Sequence, residues 1–545
     1  MRIRAFLYCL VFCLSLILPT QTVLGASNLD EWQQIEPGIE YREFLLPGPN
    51  RVFVARMDRS RENIVLDTSI AQGRLAYGAE KVSGMAARYD EAINFWDNPT
   101  TYGYRNDVVV AINGSFVNPG TSVPYSGVIQ SGWYAKRYDN YTGASFGWKS
   151  DTNPLNRKAY ISDCVFNDPV KQYIRNITNN NAIVPVDGVN IYRPSNSMIL
   201  YTNQFDRSTW TASDGIEVLV ELKRPNMILS EPNGSKGKVV AIRDNAGSSL
   251  IPFDHIVLSA HGTAADRLRS TIQLNDELEI SQEIKNLANN CRTLVGEPDW
   301  TKAYAGITGD HTYLTNGNLV PHPNAAKNTD VHPRTAIAFN NAYIYFIVVD
   351  GRQPGVSVGM TYLQLGDFSR TYLQADFGLA LDGGGSSTML VNGKVVNIPS
   401  DKCYPLYLPV LIAPSRLDSS GVPLMEAMVL ESMEASGIPP SVCERPVGSG
   451  VMMIVLQPNE PSYTFSPGDT VLTQWDAQVR LGPGTNYALL ATITPGQDGV
   501  ILPHANGLNG VYAKGKHWWK VNFGSLSGWV GEDSLIRKPN SGTPN

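Results

Sequence analysis

The sequence predicts an α+β protein, with mixed or antiparallel sheets and helices in a main domain and a small all-β barrel at the C-terminus. Three observations predict it. Residues 30 to 440 carry apolar, strand-like runs interrupted by a few helical patterns. The stretch 332–397 reads as strand, strand, helix, strand and hairpin. Beyond 462, short strands recur between Gly, Pro and Asn turns up to Ile536.

Taken in order, residues 1–26 read as a secretory signal. Arg2 and Arg4 form its charged start, Ala5 to Leu18 its apolar centre, and Gly25 or Ala26 its small-residue cleavage site. A secreted, periplasmic or wall-associated protein, bacterial in style, is therefore expected. No later stretch approaches the length of a membrane span. Residues 27–445 form the main domain, 446–461 a linker rich in Pro, Gly and Ser, 462–538 the barrel and 539–545 a tail. The chain of 545 residues carries a formal charge of −6. Two arginines and no acid leave with the signal, so the mature charge is −8, which argues against nucleic acid or an anionic membrane as a main partner. Cys164, Cys291, Cys403 and Cys443 remain after cleavage, an even set that allows up to two disulfides and matches no zinc spacing.

Within 332–397, Thr335 to Phe339 and Ala342 to Val349 are strands joined by a two-residue Asn340-Asn341 turn. That register sets Arg334 opposite Ile347. Thr361 to Gln364 is a capping box, and Tyr362, Leu365, Phe368 and Tyr372 recur at helical spacing, with Gly378 as the stop. Leu379 to Asp382 follows as a short strand. Asn392-Gly393 then turns a hairpin between Thr388–Val391 and Lys394–Val396. If the strands ending at Val349 and Leu381 run parallel, Asp350 and Asp382 leave one sheet at the same edge.

Asp382 opens the run Gly383-Gly384-Gly385-Ser386-Ser387-Thr388. Consecutive glycines let backbone N–H groups converge on an anion, and the three hydroxyls add neutral donors. Asp382 and Asp350 are the candidate catalytic carboxylates. Asn113, Arg334, Arg352, Gly383, Gly384, Gly385, Ser386, Ser387 and Thr388 are the candidate substrate and phosphate ligands, with His332 and Asp310 as weaker candidates. Each also has a plainer reading: Asp350-Gly351 as a turn, Arg334 as an ion-pair residue, Asn113 as a turn cap.

Two aspartates, two arginines and a polyglycine cradle suit cleavage of a phosphate-linked sugar. A departing phosphate already spreads its charge over several oxygens, so cationic and backbone donors stabilise it. One carboxylate with an arginine clamp can then suffice where a glycosidase otherwise needs two acids.

At these residues the chain resembles the phosphodiester glycosidase family. The similar pieces are Ala111 to Phe116, Pro333 to Ile337, Val348 to Arg352, and Leu381 to Thr388, with Asn397, Pro399-Ser400-Asp401 and Cys403 downstream. Leu200 to Thr202 and Leu258 to Gly262 extend the likeness more weakly. The resemblance implies hydrolysis of a sugar-to-phosphate linkage at the residues named above. Two departures stand out. Ser115-Phe116-Val117 replaces the family's usual Gly-Phe-Phe, and Leu408 stands where the family usually carries an Arg.

Residues 462 to 538 resemble a bacterial SH3 domain, at Val479 to Gly484, Trp518 to Val521 and Gly528 to Val530. That likeness implies docking on peptidoglycan or another wall polymer, with Trp518, Trp519 and Trp529 as stacking candidates unless the small barrel buries them. No cofactor is expected, and a divalent cation stays open. The other readings are a non-catalytic wall- or glycan-binding protein and a metal-dependent phosphodiesterase cleaving P–O.

Overall fold

Strand alternation in Tyr343–Val349 shows how the core is built. Ile344, Phe346 and Val348 join one buried cluster, while Tyr345, Ile347 and Val349 join another on the opposite face. A strand covered on both faces reads as a continuous apolar run, as this one does. The computed structural model describes residues 31–75, 78–94, 103–138, 144–149, 158–162, 165–223, 235–286, 303–403, 441–504 and 507–538. The signal, Leu408 and the tail lie outside them.

Tyr343–Val349 belongs to an eight-stranded sheet between Asn50–Asp58 and Arg334–Phe339, with Phe377–Ala380 and His311–Thr315 beyond. A six-stranded sheet faces it, running from the Met389–Val391 hairpin through Tyr104–Asn113 and Ser449–Gln457 to Ile64–Ile70. Phe53, Phe346 and Val348 of the first meet Val110, Ile112 and Val451 of the second in one core. Helix α1 (Val82–Tyr89) adds Val82, Met85 and Ala86 to that core. A five-stranded sheet and a second eight-stranded sheet complete the main body, with helix α2 (Gly262–Thr271) packed on the latter through Ala264, Ala265 and Leu268.

Helix α3 (Tyr362–Tyr372) covers the outer face of the first sheet through Tyr362, Leu365 and Phe368. Its capping box forms as expected: Gln364 N–H donates to Thr361 Oγ1 at 3.1 Å and Thr361 N–H to Gln364 Oε1 at 2.9 Å. The helix ends at Tyr372, however. Gly378 lies inside the Phe377–Ala380 strand, where the Tyr313 ring occupies the space a Cβ would need.

The expected α+β class is corrected to mainly β: 37 strands stand against three α-helices among the described residues. The strand-like runs are strands, and the few helical patterns between them give only three short helices, too few for a balanced α+β class. None of the described helices is long and apolar enough to cross a membrane.

The expected linker at 446–461 is also corrected. Ser449–Gln457 is a buried strand in the middle of the six-stranded sheet, paired with Tyr104–Asn113 and Ile64–Ile70. Its Pro- and Gly-rich flanks drew attention from the apolar run Val451 to Leu456. The C-terminal residues form a separate antiparallel sheet around Val471, Val479, Trp519 and Val530. Trp518, Trp519 and Trp529 are each only 2% exposed, which corrects their assignment as stacking surfaces. Trp518 and Trp529 pack instead against Ile93 and Phe253 of the main body. The exposed aromatics here are Tyr463 and Trp475. Cys443 lies across from Asp401 in a pair of short strands, while Cys164, Cys291 and the Cys403 side chain lie outside the described residues.

Candidate functional site

Arg334 pairs directly opposite Val349, not Ile347. The hairpin is wider than its two asparagines predict. Asn340 Oδ1 accepts from the N–H groups of Ala342 and Tyr343, so the loop spans four residues and Phe339 pairs with Ile344. The register therefore moves by two, which carries Arg334 next to Asp350. The strands on either side of Arg334–Phe339 are both antiparallel to it, hence parallel to each other. Asp350 and Asp382 do leave at one edge, two strand spacings or about 10 Å apart across the sheet.

They leave on different faces. Val348 points into the core between the sheets, and Asp350 shares its parity. Ala380 points toward α3, and Asp382 follows that parity. The Asp382 charge is felt by Tyr362 of α3, consistent with this side.

Asn113 builds the loop that carries Asp382. Its Nδ2 donates to the Asp382 carbonyl at 2.6 Å, and its Oδ1 accepts from Thr335 Oγ1 at 2.7 Å and Thr388 N–H at 3.1 Å. It is fully buried and its amide is engaged inside the protein, so it holds the loop in place. The Asp382 N–H donates to the Gly114 carbonyl, and Gly384 N–H to the Pro333 carbonyl. Gly383 lies against that same carbonyl.

Two glycines let guanidinium groups approach the turn. Gly384 sits at φ +67°, where a side chain would be strained and would approach Arg352 Nη2. A Cβ on Gly385 would lie 2.5 Å from Arg445 Nη2. Two guanidinium groups thus rest on the glycine turn. Arg352 is exposed and itself adopts φ +59°. Arg445 is aligned by Asp401, which accepts its Nε–H at 2.7 Å and an Nη2–H at 3.1 Å. Sequence reasoning missed Arg445, because it stands alone beside the expected linker and no motif marks it.

Burial pushes the partly exposed Asp382 carboxyl up to about 6, against hydrogen bonds from Ser386 and Gly383 and the charge of Arg445. Asp350 is 1% exposed, and burial raises it to about 6 as well. Its Oδ1 accepts from Asn397 Nδ2 at 3.0 Å and from Ile398 N–H at 3.1 Å. Asn397 also donates to the Ser387 carbonyl at 3.0 Å, tying Asp350 to the hydroxyl run. Ser386, Ser387 and Thr388 are buried, and the hydroxyls of Ser387 and Thr388 have no hydrogen-bond partner.

Arg334 is largely committed within the fold. Its Nε–H donates to the Met360 carbonyl and its Nη2–H to the Asp330 carbonyl, and the guanidinium lies 4.0 Å over the Tyr362 ring. Burial lowers its pKa. Tyr362 OH donates to Asp310 at 2.5 Å, and Lys327 Nζ donates to the same carboxylate at 2.8 Å. Burial would raise Asp310, but these hydrogen bonds outweigh it and hold the group below its ordinary value. Asp310 therefore supports the platform under Arg334. Burial, then the charges of Arg334 and Arg352, lower the His332 pKa, and its buried Nδ1 has no partner. Among the described residues, no group of three His, Cys, Asp or Glu side chains gathers so as to hold a metal ion.

A glycine turn under two arginines thus lies beside a carboxyl group that burial raises to about 6. Residues 233–410 match the family model of the phosphodiester glycosidases, a span that includes Arg334, Asp350, Arg352, Asp382 and the glycine turn but neither Asn113 nor Arg445. No curated protein matches the chain. Among solved structures it is similar to a hypothetical protein from Synechocystis, at 14% identity and TM-score 0.43, covering 77% of this chain and 62% of that one. It therefore spans less than two thirds of that protein's length. A protein from Burkholderia pseudomallei shows 18% identity and TM-score 0.43, with 75% of this chain and 74% of that one covered. The zebrafish N-acetylglucosamine-1-phosphodiester alpha-N-acetylglucosaminidase catalytic domain, auto-inhibited by its pro-peptide, shows 12% identity and TM-score 0.35, with 78% and 85% covered.

Proposed function

We propose that this chain hydrolyses the sugar-to-phosphate linkage of sugar-1-phosphodiesters. The observation that carries the reading is the Asp382 carboxyl beside a glycine turn on which Arg352 and Arg445 rest. The family match over 233–410 supports the same reaction class.

In this reading the two guanidinium groups that rest on the turn bind the phosphate, which becomes the leaving group, while the N–H groups of Gly384, Ser386 and Ser387 stay engaged within the fold. A water attacks the anomeric carbon, Asp382 takes its proton, and the C–O bond breaks with its electron pair moving to the phosphate oxygen. The products are a free sugar and a phosphomonoester. Asp350 acts at one remove, through Asn397 and Ile398, as a positioning residue. The chain is proposed to act outside the cell on a wall polymer, phosphoglycan or exopolysaccharide. Any wall contact by the C-terminal sheet is assigned to Tyr463 and Trp475, since the other three tryptophans are buried.

Hydrolysis of a synthetic N-acetylglucosamine-1-phosphodiester in ¹⁸O water tests this. Label in the sugar is expected. Label in the phosphate, or full activity in a folded D382N variant, overturns the assignment.

A further inference from the structure

A second feature lies beside Ile64–Ile70, the outer strand of the six-stranded sheet. Asn113 pairs with Gly450, and Gly450 with Ser69, so Ser69 lies two strands away, about 10 Å by strand spacing. Just past Ser69 the chain reaches the rim of a cavity of about 110 Å³. Its lining includes Arg74, Gln130, Trp133, Asn203, Arg207 and Tyr487, drawn from the main body and the C-terminal sheet. The Gln130 Oε1 atom is buried there without a hydrogen-bond partner.

Trp210, 47% exposed and held at φ +52°, lies outside the lining and is tied to it through Asp206 and Arg207. A bulky residue at positive φ is strained, and strain of this kind gathers at ligand clamps. The ring is fixed from below. Asp206, which lines the cavity, accepts the Trp210 Nε1–H at 2.5 Å and an Arg74 Nη1–H at 3.1 Å. The Arg207 guanidinium lies 5.3 Å from the centre of the same ring. An exposed, locked indole beside an exposed guanidinium and an unsatisfied buried amide is a set that suits a sugar ring, a phosphate and a hydroxyl respectively.

We infer that this cavity and Trp210 form a second carbohydrate site, which takes a further repeat of a phosphate-linked glycan whose terminal unit lies at Asp382. The identity of the ligand rests on the proposed function, while the existence of the site does not.

The test uses the full chain in a D382N background, so the probe is not consumed. The probes are a synthetic tetramer of N-acetylglucosamine joined through 1-phosphodiesters and the matching monomeric diester, measured by titration calorimetry. W210G, which relieves the backbone, is expected to weaken tetramer binding about tenfold, the order of one lost stacking contact, and to leave the monomer unchanged. R207A serves as the second variant should W210G fail to fold. Unchanged tetramer affinity, or equal loss for both probes, overturns the inference. If tetramer binding depends on Trp210 while the wild-type chain hydrolyses neither probe, the proposed reaction fails and this site stands. If hydrolysis occurs with no such dependence, only this inference falls.

Discussion

Asn397 stands between the two aspartates' territories, donating one Nδ2 hydrogen to Asp350 Oδ1 and another to the Ser387 carbonyl, each at 3.0 Å. A buried carboxyl group at the rim of one strand is thereby coupled to the hydroxyl run that follows Asp382. N397A is expected to leave both partners short of a donor and to cost about 1–3 kcal/mol of stability. Urea unfolding measures it. The same variant is expected to lower kcat more than it raises KM, because the phosphate ligands stay in place. A destabilised variant with unchanged kcat would reduce Asn397 to a purely structural part.

Asp382 must be ionised to accept a proton, and burial holds it near 6. Activity is therefore expected to rise as pH climbs through about 6. D382N is expected to lower kcat/KM by about 10²–10⁴-fold, the usual span of general-base catalysis. D350N is expected to keep the rising limb, since Asp350 does not contact the reacting atoms in this proposal. Loss of the limb in D350N and its retention in D382N would exchange the two roles.

The Gly385 position is a direct probe of Arg445. An added methyl would meet the guanidinium at 2.5 Å, so G385A is expected to push Arg445 off the turn. KM should rise about tenfold, the equivalent of one charge-assisted contact of 1.4 kcal/mol, with a smaller change in kcat. R445A should match it. A KM that stays put in both variants removes Arg445 from phosphate binding.

Asp67 gives a stability prediction outside the site. It is fully buried, accepting from Ser131 and the Thr68 N–H, with Tyr89 also bonded to it, and burial raises it to about 7. A carboxyl raised on folding favours the native state below its ordinary value of 3.8, and this contribution is lost as pH rises through about 7. At about 1.4 kcal/mol per unit, the loss is on the order of 4 kcal/mol. Unfolding free energy is expected to decline over that range, and D67N should flatten the decline. An unchanged slope in D67N would contradict it.

Trp529 and Trp475 contrast core with surface. W529A removes a buried ring that joins the C-terminal sheet to Phe253, and is expected to cost about 3–5 kcal/mol. W475A, 66% exposed, should stay within about 0.5 kcal/mol. Thermal unfolding separates them. If W475A proves as damaging as W529A, the surface assignment fails.

Much of the edge was legible in one dimension because its signals are local. The Thr361-Gln364 capping box and the Asn392-Gly393 hairpin follow from spacing alone, and the hairpin residues carry the positive φ values that such a turn requires, whereas the exit of Asp350 and Asp382 at one sheet edge was conditional on parallel strands, which the sheet supplies. The Arg334 register failed by two residues because Asn340 engages Ala342 and Tyr343 with its side chain, a choice that its residue type allows without dictating.

Residue type and order by themselves determined that a carboxylate would precede a glycine turn, that a strand would carry Arg334 toward Asp350, and that the C-terminal segment would be all β. Tertiary structure alone decided which faces the two aspartates take, that Arg445 comes to rest on Gly385 from 60 residues away, and that Ser449–Gln457 fills a sheet rather than linking domains. The physical reason is the range of the forces. Turn chemistry and capping act over a few residues, whereas the ion pair with Asp401 that aligns Arg445, and the burial that closes that strand into the core and lifts both carboxyl groups, exist only once distant segments have come together.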